Sequence, residues 1–505
     1  MKELLVMSSV VAASCLRLMG SGLQPDPLFS DHTVLQHGVV CPIWGLAEAG
    51  ETVTVDFLGQ RQQAQADAHG QWRVKLEPLE PGGPYEMVIS GANERLTFED
   101  VLVGEVWLCS GQSNMARTLV PPPQVLPRRD YWEASAAEAD YPQIREFKVR
   151  GRTADEPHAL STGEWEVCTP ENARGFSAVG YFFARDLSKA RGDVPVGIIT
   201  AAVGATGIAN WMSLDALNAE PGLEPTMAYF AKVHARYPAA LEKYEADMVE
   251  YEARLKAYEV NGGEKPKKPH EPRNPFTDPY RMGANYNGKI APLMPYAIKG
   301  ALWYQGEQDR NHPRNYPYYL RSLIGSWREA WGRGDFPFIV IQLPDHEKTE
   351  AIFRVVQQEG AEYVPNTAIV VTMDVGDPQD IHPPNKEPVG VRSALAARVL
   401  AYGEPILGYS PQLESVEVEG AELTLYFADA DGLMAVDGPA KGFELSGVDK
   451  KFVPASARIN EDRVILSAEG IEAPKYVRYA WSNVPVVNVY NAAKLPIAPF
   501  SQTIK

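Results

Sequence analysis

The sequence predicts an α/β protein, in which a parallel sheet flanked by helices carries accessory all-β domains at both ends. Two observations predict the central domain. Five apolar runs of the kind expected for strands buried on both faces recur between residues 101 and 376, and segments of helical composition separate them. The third observation concerns the flanks: before residue 100 and after about residue 410, apolar and polar residues alternate with the period of two that is typical of strands.

At the amino terminus, Lys2 precedes the apolar run LLVMSSVVAASCL, whose length suits an export signal and is short for a membrane span. We therefore expect residues 1–22 to be a signal peptide and the protein to be secreted or periplasmic. Lipid attachment at Cys15 is the alternative. No later stretch is long and apolar enough to cross a bilayer, so we do not expect an integral membrane protein.

Residues 23–100 predict an amino-terminal β domain of short strands and turns. Within it, QADAHGQWRVKL has the pattern of a hairpin that turns at residues 68–70. The region holds no cluster of residues suited to catalysis.

Residues 101–212 and 286–408 predict the two parts of the central α/β domain. Its apolar runs lie at residues 101–110, 194–204, 297–306, 337–344 and 367–376, and YYLRSLIGSWREAWG and GVRSALAARVLAYG predict helices. The motifs SGQSN, GAT, QGEQD and DVGD each follow one of these runs. Because ligands bind at the carboxyl ends of the strands in such sheets, we expect the four motifs to meet at one edge.

Residues 213–285 predict a helical insertion in the central domain. Apolar or aromatic residues are spaced by four and three, as on one stripe of a helix, at Tyr237, Leu241, Tyr244, Met248, Tyr251, Leu255 and Tyr258. Pro238 suits the first turn of this helix, and Asn261 with the two following glycines suits its end. A packing seam against the protein or a partner subunit is the favoured interpretation of residues 237–258, and a substrate platform of stacked tyrosines is the alternative.

Residues 409–505 predict a carboxyl-terminal β domain. Across the whole chain, 48 basic and 65 acidic residues leave a net charge of −17, and no basic stripe is concentrated enough to indicate a nucleic-acid partner. None of the four cysteines forms a CxxC pair, and no phosphate-binding loop is present. We therefore expect neither a metal ion nor a cofactor.

Ser113 is a candidate nucleophile because it follows a predicted strand directly. A serine hydroxyl needs a base that removes its proton and an acid that orients the base. At a strand-to-helix junction, the next backbone N–H groups are free to stabilise an oxyanion. Serine also favours the cap position of a helix, so a capping role is the competing interpretation of this residue.

His382 is the candidate base, since it lies just beyond the end of a predicted strand. Asp380 precedes it by two residues, a spacing that puts both side chains on the same face of an extended chain. Asp377 and Asp374 are alternative orienting acids, and His346 and His312 are alternative bases.

Residues near the other strand ends are candidates for holding an oxyanion or the substrate. Gly204 lets the backbone approach a ligand closely, and Gln305 offers a side-chain amide. Glu307 accepts hydrogen bonds only, if it is ionised, so it suits the orienting of a neighbour. Gln112 and Asn114, on either side of Ser113, are further candidates for binding or orienting the substrate.

The motifs together resemble the sialate O-acetylesterase family of SGNH-type hydrolases. The matching segments, in chain order, are LFSDHTVLQ, GEVWLCSGQSNM, IANWMS, YNGKIAPLMPYAIKGALWYQGEQD, PFIVIQLP, GDPQDIHPPNKEPVGVRSALAA and VRYAWSNVPVVNVYNAAKLPIAPF. They span about residues 27 to 500, nearly the whole chain.

The resemblance implies a Ser-His-Asp esterase that removes O-acetyl groups from sialic acid or other glycans. It implies that Ser113 is the nucleophile, that His382 is the base and that Asp380 is its partner. It also implies an oxyanion hole formed by the N–H groups of Ser113 and Gly204 with the amide of Gln305. Acetylated xylan, non-sugar acetyl esters and a non-catalytic role in glycan binding are the alternatives.

Three departures from the family pattern put the substrate preference in doubt. Ala205 stands where the family has the second glycine of Trp-Gly-Gly-Thr, and Gln308-Asp309 replaces Ser-Asn after Glu307. Ala116 stands where an acidic residue is common.

Overall fold

The structure, a computed structural model, describes residues 22–121 and 129–504. Residues 1–21 of the predicted signal peptide, with Cys15, lie outside the described residues. The architecture is mixed α/β, with a central mixed sheet and several further sheets that are all β. The predicted fold class is confirmed at this level.

Eight strands form the amino-terminal part of the fold. They are β1 (Gln24–Pro25), β2 (Val34–Gln36), β3 (Cys41–Leu46), β4 (Thr52–Phe57), β5 (Gln60–Gln65), β6 (Gln71–Leu76), β7 (Gly82–Ser90) and β8 (Arg95–Gly111). The predicted hairpin is wrong, since β5 pairs with β4 and β6 pairs with β3. Its turn exists, with the N–H of Gly70 donating to the carbonyl oxygen of Asp67. Alternation with a period of two is the same for a hairpin and for strands of two layered sheets, so the pattern could not distinguish them.

Strand β8 is 17 residues long and belongs to both parts of the fold. Its first half pairs with β7 in antiparallel fashion, and its second half lies parallel to the central strands. Residues 101–111 are all buried, as expected for a strand covered on both faces.

Within the described residues, the central region contains six further strands and eight α-helices. They are α1 (Ser113–Ala116), α2 (Arg129–Ala137), β9 (Tyr141–Lys148), β10 (Trp165–Cys168), α3 (Ala178–Ala190), β11 (Val196–Ala202), α4 (Leu214–Ala219), α5 (Glu224–Asn261), β12 (Gly300–Tyr304), α6 (Tyr316–Trp331), β13 (Phe338–Ile341), α7 (Ala351–Glu362), β14 (Thr367–Val370) and α8 (Glu387–Leu400). The strand order is β10-β9-β11-β8-β12-β13-β14, and only the pair of β10 with β9 is antiparallel. Helix α3 packs against α8, and α6 packs against α7. The carboxyl ends of β8, β11, β12 and β14 therefore lie at one edge of the sheet.

Helix α5 is longer than the sequence predicts, because it begins at Glu224 and not near Pro238. Pro225 occupies the first turn, and Pro238 lies inside the helix, where its missing N–H leaves one carbonyl group without its helical partner. The helix ends at Asn261 as predicted, with Gly262 at φ +70°. At 1.5 Å per residue it is about 57 Å long.

The predicted stripe of α5 is half-buried along its whole length. The segment that follows α5, residues 264–279, is called the return segment. It carries half-buried prolines at every third residue, which are Pro266, Pro269, Pro272 and Pro275. This spacing is that of a polyproline II helix. The ring of Phe276 lies 6.1 Å from that of Tyr237. We infer that the stripe packs against the return segment of its own chain, which favours the seam over the tyrosine platform.

Ten strands form the carboxyl-terminal region. They are β15 (Gln412–Glu419), β16 (Glu422–Ala428), β17 (Met434–Ala435), β18 (Phe443–Ser446), β19 (Val453–Pro454), β20 (Ser456–Asn460), β21 (Arg463–Ser467), β22 (Tyr476–Tyr479), β23 (Val489–Tyr490) and β24 (Phe500–Thr503). Their core includes Val371 and Met373, which follow β14. The carbonyl oxygens of Ser482 and Asn483 accept hydrogen bonds from Arg354 and from the N–H of His346, respectively. The region is thereby fixed to loops at the carboxyl edge of the central sheet.

The three cysteines of the described ranges, Cys41, Cys109 and Cys168, are buried and unpaired. Burial raises the pKa of the Cys41 thiol to about 12, so this thiol stays protonated. Among the helices of residues 22–121 and 129–504, none is both long and apolar enough to span a membrane.

Candidate active site

Ser113 is presented by a sharp turn between β8 and α1. Gly111 has φ +138°, and a Cβ at this position would overlap the carbonyl oxygen of Tyr304, so glycine is required there. The next N–H, of Gln112, donates to the same carbonyl at 3.0 Å. Gln112 is the cap residue of α1, and Ser113 is the first residue of the helix proper. The competing interpretation of Ser113 as a helix cap is therefore wrong.

The hydroxyl of Ser113 lies 2.9 Å from Nε2 of His382, which is hydrogen-bond distance. His382 lies in the loop between β14 and α8. Burial of the ring, together with the positive charges of Arg117 and Lys386, lowers the pKa of His382 to about 4, against the opposing charge of Asp380. The imidazole is therefore neutral at neutral pH and able to accept the proton of the serine.

Asp380 lies beside His382 but bonds to its backbone. Its Oδ1 accepts the N–H of His382 at 2.8 Å and lies 3.8 Å from Nδ1 of the ring. The second distance is too long for a hydrogen bond, while the charges still attract. Asp377 accepts N–H groups of its own turn, and Asp374 pairs with Arg392 at 2.6 Å. Of these three carboxylates, Asp380 is thus the one beside the ring.

The two competing histidines have other surroundings. His346 is buried, and its Nδ1 accepts the N–H of Lys348 at 3.2 Å. His312 is exposed, and its N–H donates to the carbonyl oxygen of Asp309. The structure brings His382 to Ser113.

The turn after β11 lies against Ser113. A Cβ built on Gly204 would lie 3.5 Å from the Cβ of Ser113. In the described part of the chain, no group accepts a hydrogen bond from the backbone N–H of Ser113 or of Gly204. Ala205 has φ +60°, a left-handed conformation that costs a residue with a Cβ about 1–2 kcal/mol. The departure from glycine at residue 205 therefore stores strain beside the site.

Gln305 is engaged in a network that joins three strand ends. Its Nε2, which carries two N–H groups, lies within hydrogen-bond distance of three acceptors: Oε1 of Gln112 at 3.1 Å, the carbonyl oxygen of Thr206 at 3.1 Å and Asp309 at 2.5 Å. Asp309 also accepts the N–H of Ile208 at 2.9 Å, and burial raises the pKa of this carboxyl to about 6. A role of Gln305 in an oxyanion hole stays a prediction, because the amide already has partners.

A second buried network lies behind the serine. The amide nitrogen of Asn114 donates to Glu307 and, at 3.0 Å, to the carbonyl oxygen of Ile381, next to His382. The ammonium of Lys386 donates to Oδ1 of Asn114 at 2.5 Å. Burial lowers the pKa of Lys386 to about 7 and raises that of Glu307. The network joins the helix of Ser113, the end of β12 and the loop of His382.

A cleft opens beside the Ser113–His382 pair. It is lined by Arg117, Trp132, His382, Pro383 and Lys386 among others. Sequence reasoning missed Arg117 and Lys386, since a lone basic residue at the start or end of a helix is ordinarily solvated. Their only signal was their place inside the two motifs that carry the serine and the histidine. In residues 22–121 and 129–504, no cluster of three His, Cys, Asp or Glu residues is able to hold a metal ion.

Comparisons with known proteins agree on one family. The model of the family described as "Carbohydrate esterase, sialic acid-specific acetylesterase" matches residues 103–253 and 279–400. The chain is 28% identical to the sialate O-acetylesterase of Rattus norvegicus over 99% of this chain and 98% of that protein. It is 29% identical to the Homo sapiens protein of that name, over 96% and 93%. A crystal structure of a carbohydrate acetylesterase from Xanthomonas citri has a TM-score of 0.77 and 32% identity, covering 95% of this chain and 100% of that chain.

Proposed function

This chain belongs to the sialic acid-specific acetylesterase family of carbohydrate esterases, and on that premise we propose that it removes O-acetyl groups from sialic acid or other glycans through an acyl-enzyme on Ser113. The observation that carries the proposal is the 2.9 Å distance between the hydroxyl of Ser113 and Nε2 of His382. A half-buried, neutral imidazole at this distance is what a serine needs to become a nucleophile.

In the first half of the reaction, the oxygen of Ser113 attacks the acetyl carbonyl carbon while Nε2 of His382 takes the hydroxyl proton. The bond between the acetyl carbon and the sugar oxygen then breaks, and the imidazolium returns the proton to that oxygen. In the second half, His382 takes a proton from water, which attacks the acetyl-serine. Acetate leaves and the proton returns to Ser113.

The oxyanion of each tetrahedral intermediate needs donors beside Ser113. The unpartnered N–H groups of Ser113 and Gly204 support a role there, as does the close approach of Gly204 to the serine. The amide of Gln305 would serve only by exchanging one of its three present acceptors for the oxyanion.

Asp380 is proposed to stabilise the imidazolium form of His382. Its charge raises the pKa of the ring, in opposition to burial and to the neighbouring cations. A small rotation of the carboxylate would bring Oδ1 from 3.8 Å to hydrogen-bond distance of Nδ1. We also propose an SGNH-hydrolase-like central domain, supported by the parallel pairing of β9, β11, β8, β12, β13 and β14.

Acetate release from an acetylated aryl ester and from a panel of acetylated glycans tests the proposal. Ser113→Ala should reduce kcat/KM by roughly 10³-fold or more. Ser326→Ala is the matched control, because its hydroxyl, in the described part of the chain, donates to the carbonyl oxygen of Leu323 within α6 and to no other group. Unchanged turnover by folded Ser113→Ala would exclude the acyl-enzyme. Binding of glycans without acetate release by the wild type would favour the non-catalytic alternative.

A further inference from the structure

Arg117 is a cation without a partner in the cleft of the candidate active site. In the part of the chain that the structure describes, no group forms an ion pair or a side-chain hydrogen bond with its guanidinium. Neighbouring arginines are satisfied: Arg392 pairs with Asp374 at 2.6 Å, and Arg185 pairs with Glu387 at 2.8 Å. Arg117 is half-buried, so it has lost part of its hydration without gaining a protein partner.

The surroundings of Arg117 are themselves positive. Arg117 lines the same cleft as His382 and Lys386, and its positive charge lowers the pKa of both. Among the described residues that line the cleft, the acidic one is Asp380, and its Oδ1 accepts the N–H of His382. Residue 116, beside Arg117, is an alanine. A guanidinium in this setting is built for a bidentate contact with an anion that enters from outside.

Arg117 also stands at a fixed distance from the nucleophile. It directly follows α1, and its N–H donates to the carbonyl oxygen of Ser113 at 2.9 Å, so the two residues are one helical turn apart. On a helix, the backbones of residues one turn apart lie about 5.4 Å apart along the axis. Arg117 lines the same cleft as His382, which contacts Ser113, so an anionic group on a substrate whose acetyl ester reaches Ser113 would come within reach of Arg117.

We propose that Arg117 binds a carboxylate of the substrate and thereby selects acetyl esters of acidic sugars over those of neutral sugars. The inference rests on the proposed esterase function and adds to it a residue that distinguishes charged from neutral substrates. The protein carries a net charge of −17, so its overall field repels an acidic sugar. A local cation beside the nucleophile offsets that repulsion where it matters for kcat/KM.

The test compares each acidic substrate with its own methyl ester. Acetate release is measured at pH 8 from O-acetylated sialic acid, from acetylated glucuronate and from the carboxyl methyl esters of both. The ratio of kcat/KM for acid over methyl ester should exceed one for the wild type. It should fall roughly 10- to 100-fold in Arg117→Ala and less in Arg117→Lys, which keeps the charge but loses the planar fork. The acid that shows the Arg117-dependent ratio identifies the sugar.

Arg191→Ala is the matched control, since it changes the net charge equally. Arg191 pairs with Glu404 and stacks on Tyr402 just before β11, at the opposite edge of the sheet. The ratio should be unchanged in this variant. An unchanged ratio in Arg117→Ala, or a wild-type ratio near one, overturns the inference while the esterase function stands. Absence of acetate release by the wild type from all substrates, the aryl ester included, overturns the esterase function itself.

Discussion

The acid limb of the pH profile should lie far below the ordinary value for histidine. The pKa of His382 is lowered to about 4, first by burial and then by the charges of Arg117 and Lys386. With this pKa, about 90% of the imidazole is neutral at pH 5, whereas a histidine of pKa 6.5 would be only about 3% neutral. The kcat/KM of the wild type at pH 5 should therefore stay near its plateau, about 30-fold above the value expected for an ordinary histidine.

Lys386→Met is the informative perturbation of this limb. It removes one of the two positive charges that act on His382, so the midpoint should rise. Burial and Arg117 remain, so the midpoint should stay below 6.5. A rise from 4 to 5 would reduce the neutral fraction at pH 5 from about 90% to about 50%. The midpoint does not depend on the plateau, so a general loss of activity from the broken contact with Asn114 does not obscure it.

The assay is acetate release from a neutral aryl acetate between pH 3.5 and 9, with kcat/KM fitted at each pH. Lys189→Met serves as control, because Lys189 is exposed and lies over the ring of Tyr141. A wild-type midpoint between 6 and 7 would refute the reasoning that burial and two cations hold the ring neutral. A midpoint that falls in Lys386→Met would refute the assigned sign of the charge effect.

Three further predictions concern the scaffold of the site. Gly111→Ala should displace the turn before Ser113 from the carbonyl oxygen of Tyr304 and lower kcat/KM about 100-fold. As its control, Gly325→Ala lies inside α6 with open space around the new Cβ, so it should raise the free energy of unfolding in urea by about 0.5–1 kcal/mol. Ala205→Gly should raise the free energy of unfolding by about 0.5–1 kcal/mol, because relief of the left-handed strain exceeds the added entropy of the unfolded chain; a loss of stability would contradict this. The pKa of Asp309 is raised to about 6, so the native state binds the extra proton and this carboxyl's contribution to stability falls as pH rises from about 4 through 6. Asp309→Asn should flatten that part of the stability curve, and an unaltered curve would argue against the raised pKa.

The buried strands were predictable because their physical signal is local. A run such as residues 101–110 is apolar at every position, and such a run fits a strand covered on both faces. The hairpin at residues 68–70 failed because pairing in a layered β domain depends on which sheet faces which, and the period of two carries no such information. The early start of α5 was missed because Pro238 suits a first turn equally well, and nothing local shows that the helix already runs through it.

The candidate site was predictable in its chemistry and less so in its electrostatics. Ser113, His382 and Asp380 were found from residue type, strand ends and a family resemblance. Oδ1 of Asp380 lies 2.8 Å from the backbone nitrogen of His382 and 3.8 Å from Nδ1 of its ring. A difference of about 1 Å between these two distances cannot be predicted from the sequence. Arg117 and Lys386 were missed because their significance comes from burial and from the absence or presence of partners, which only the assembled fold determines.

The continuity of strand β8 limits where the protein can be truncated. The backbone that begins in the antiparallel pairing with β7 ends, without a break, in the turn that presents Ser113. No linker separates the amino-terminal strands from the sheet edge that carries Ser113 at this point, so the pairing with β7 helps to hold the strand that leads to Ser113. A fragment cut at residue 101 would keep Ser113, His382 and Asp380, but it would lose the segment LFSDHTVLQ and the strand β7 that pairs with the first half of β8.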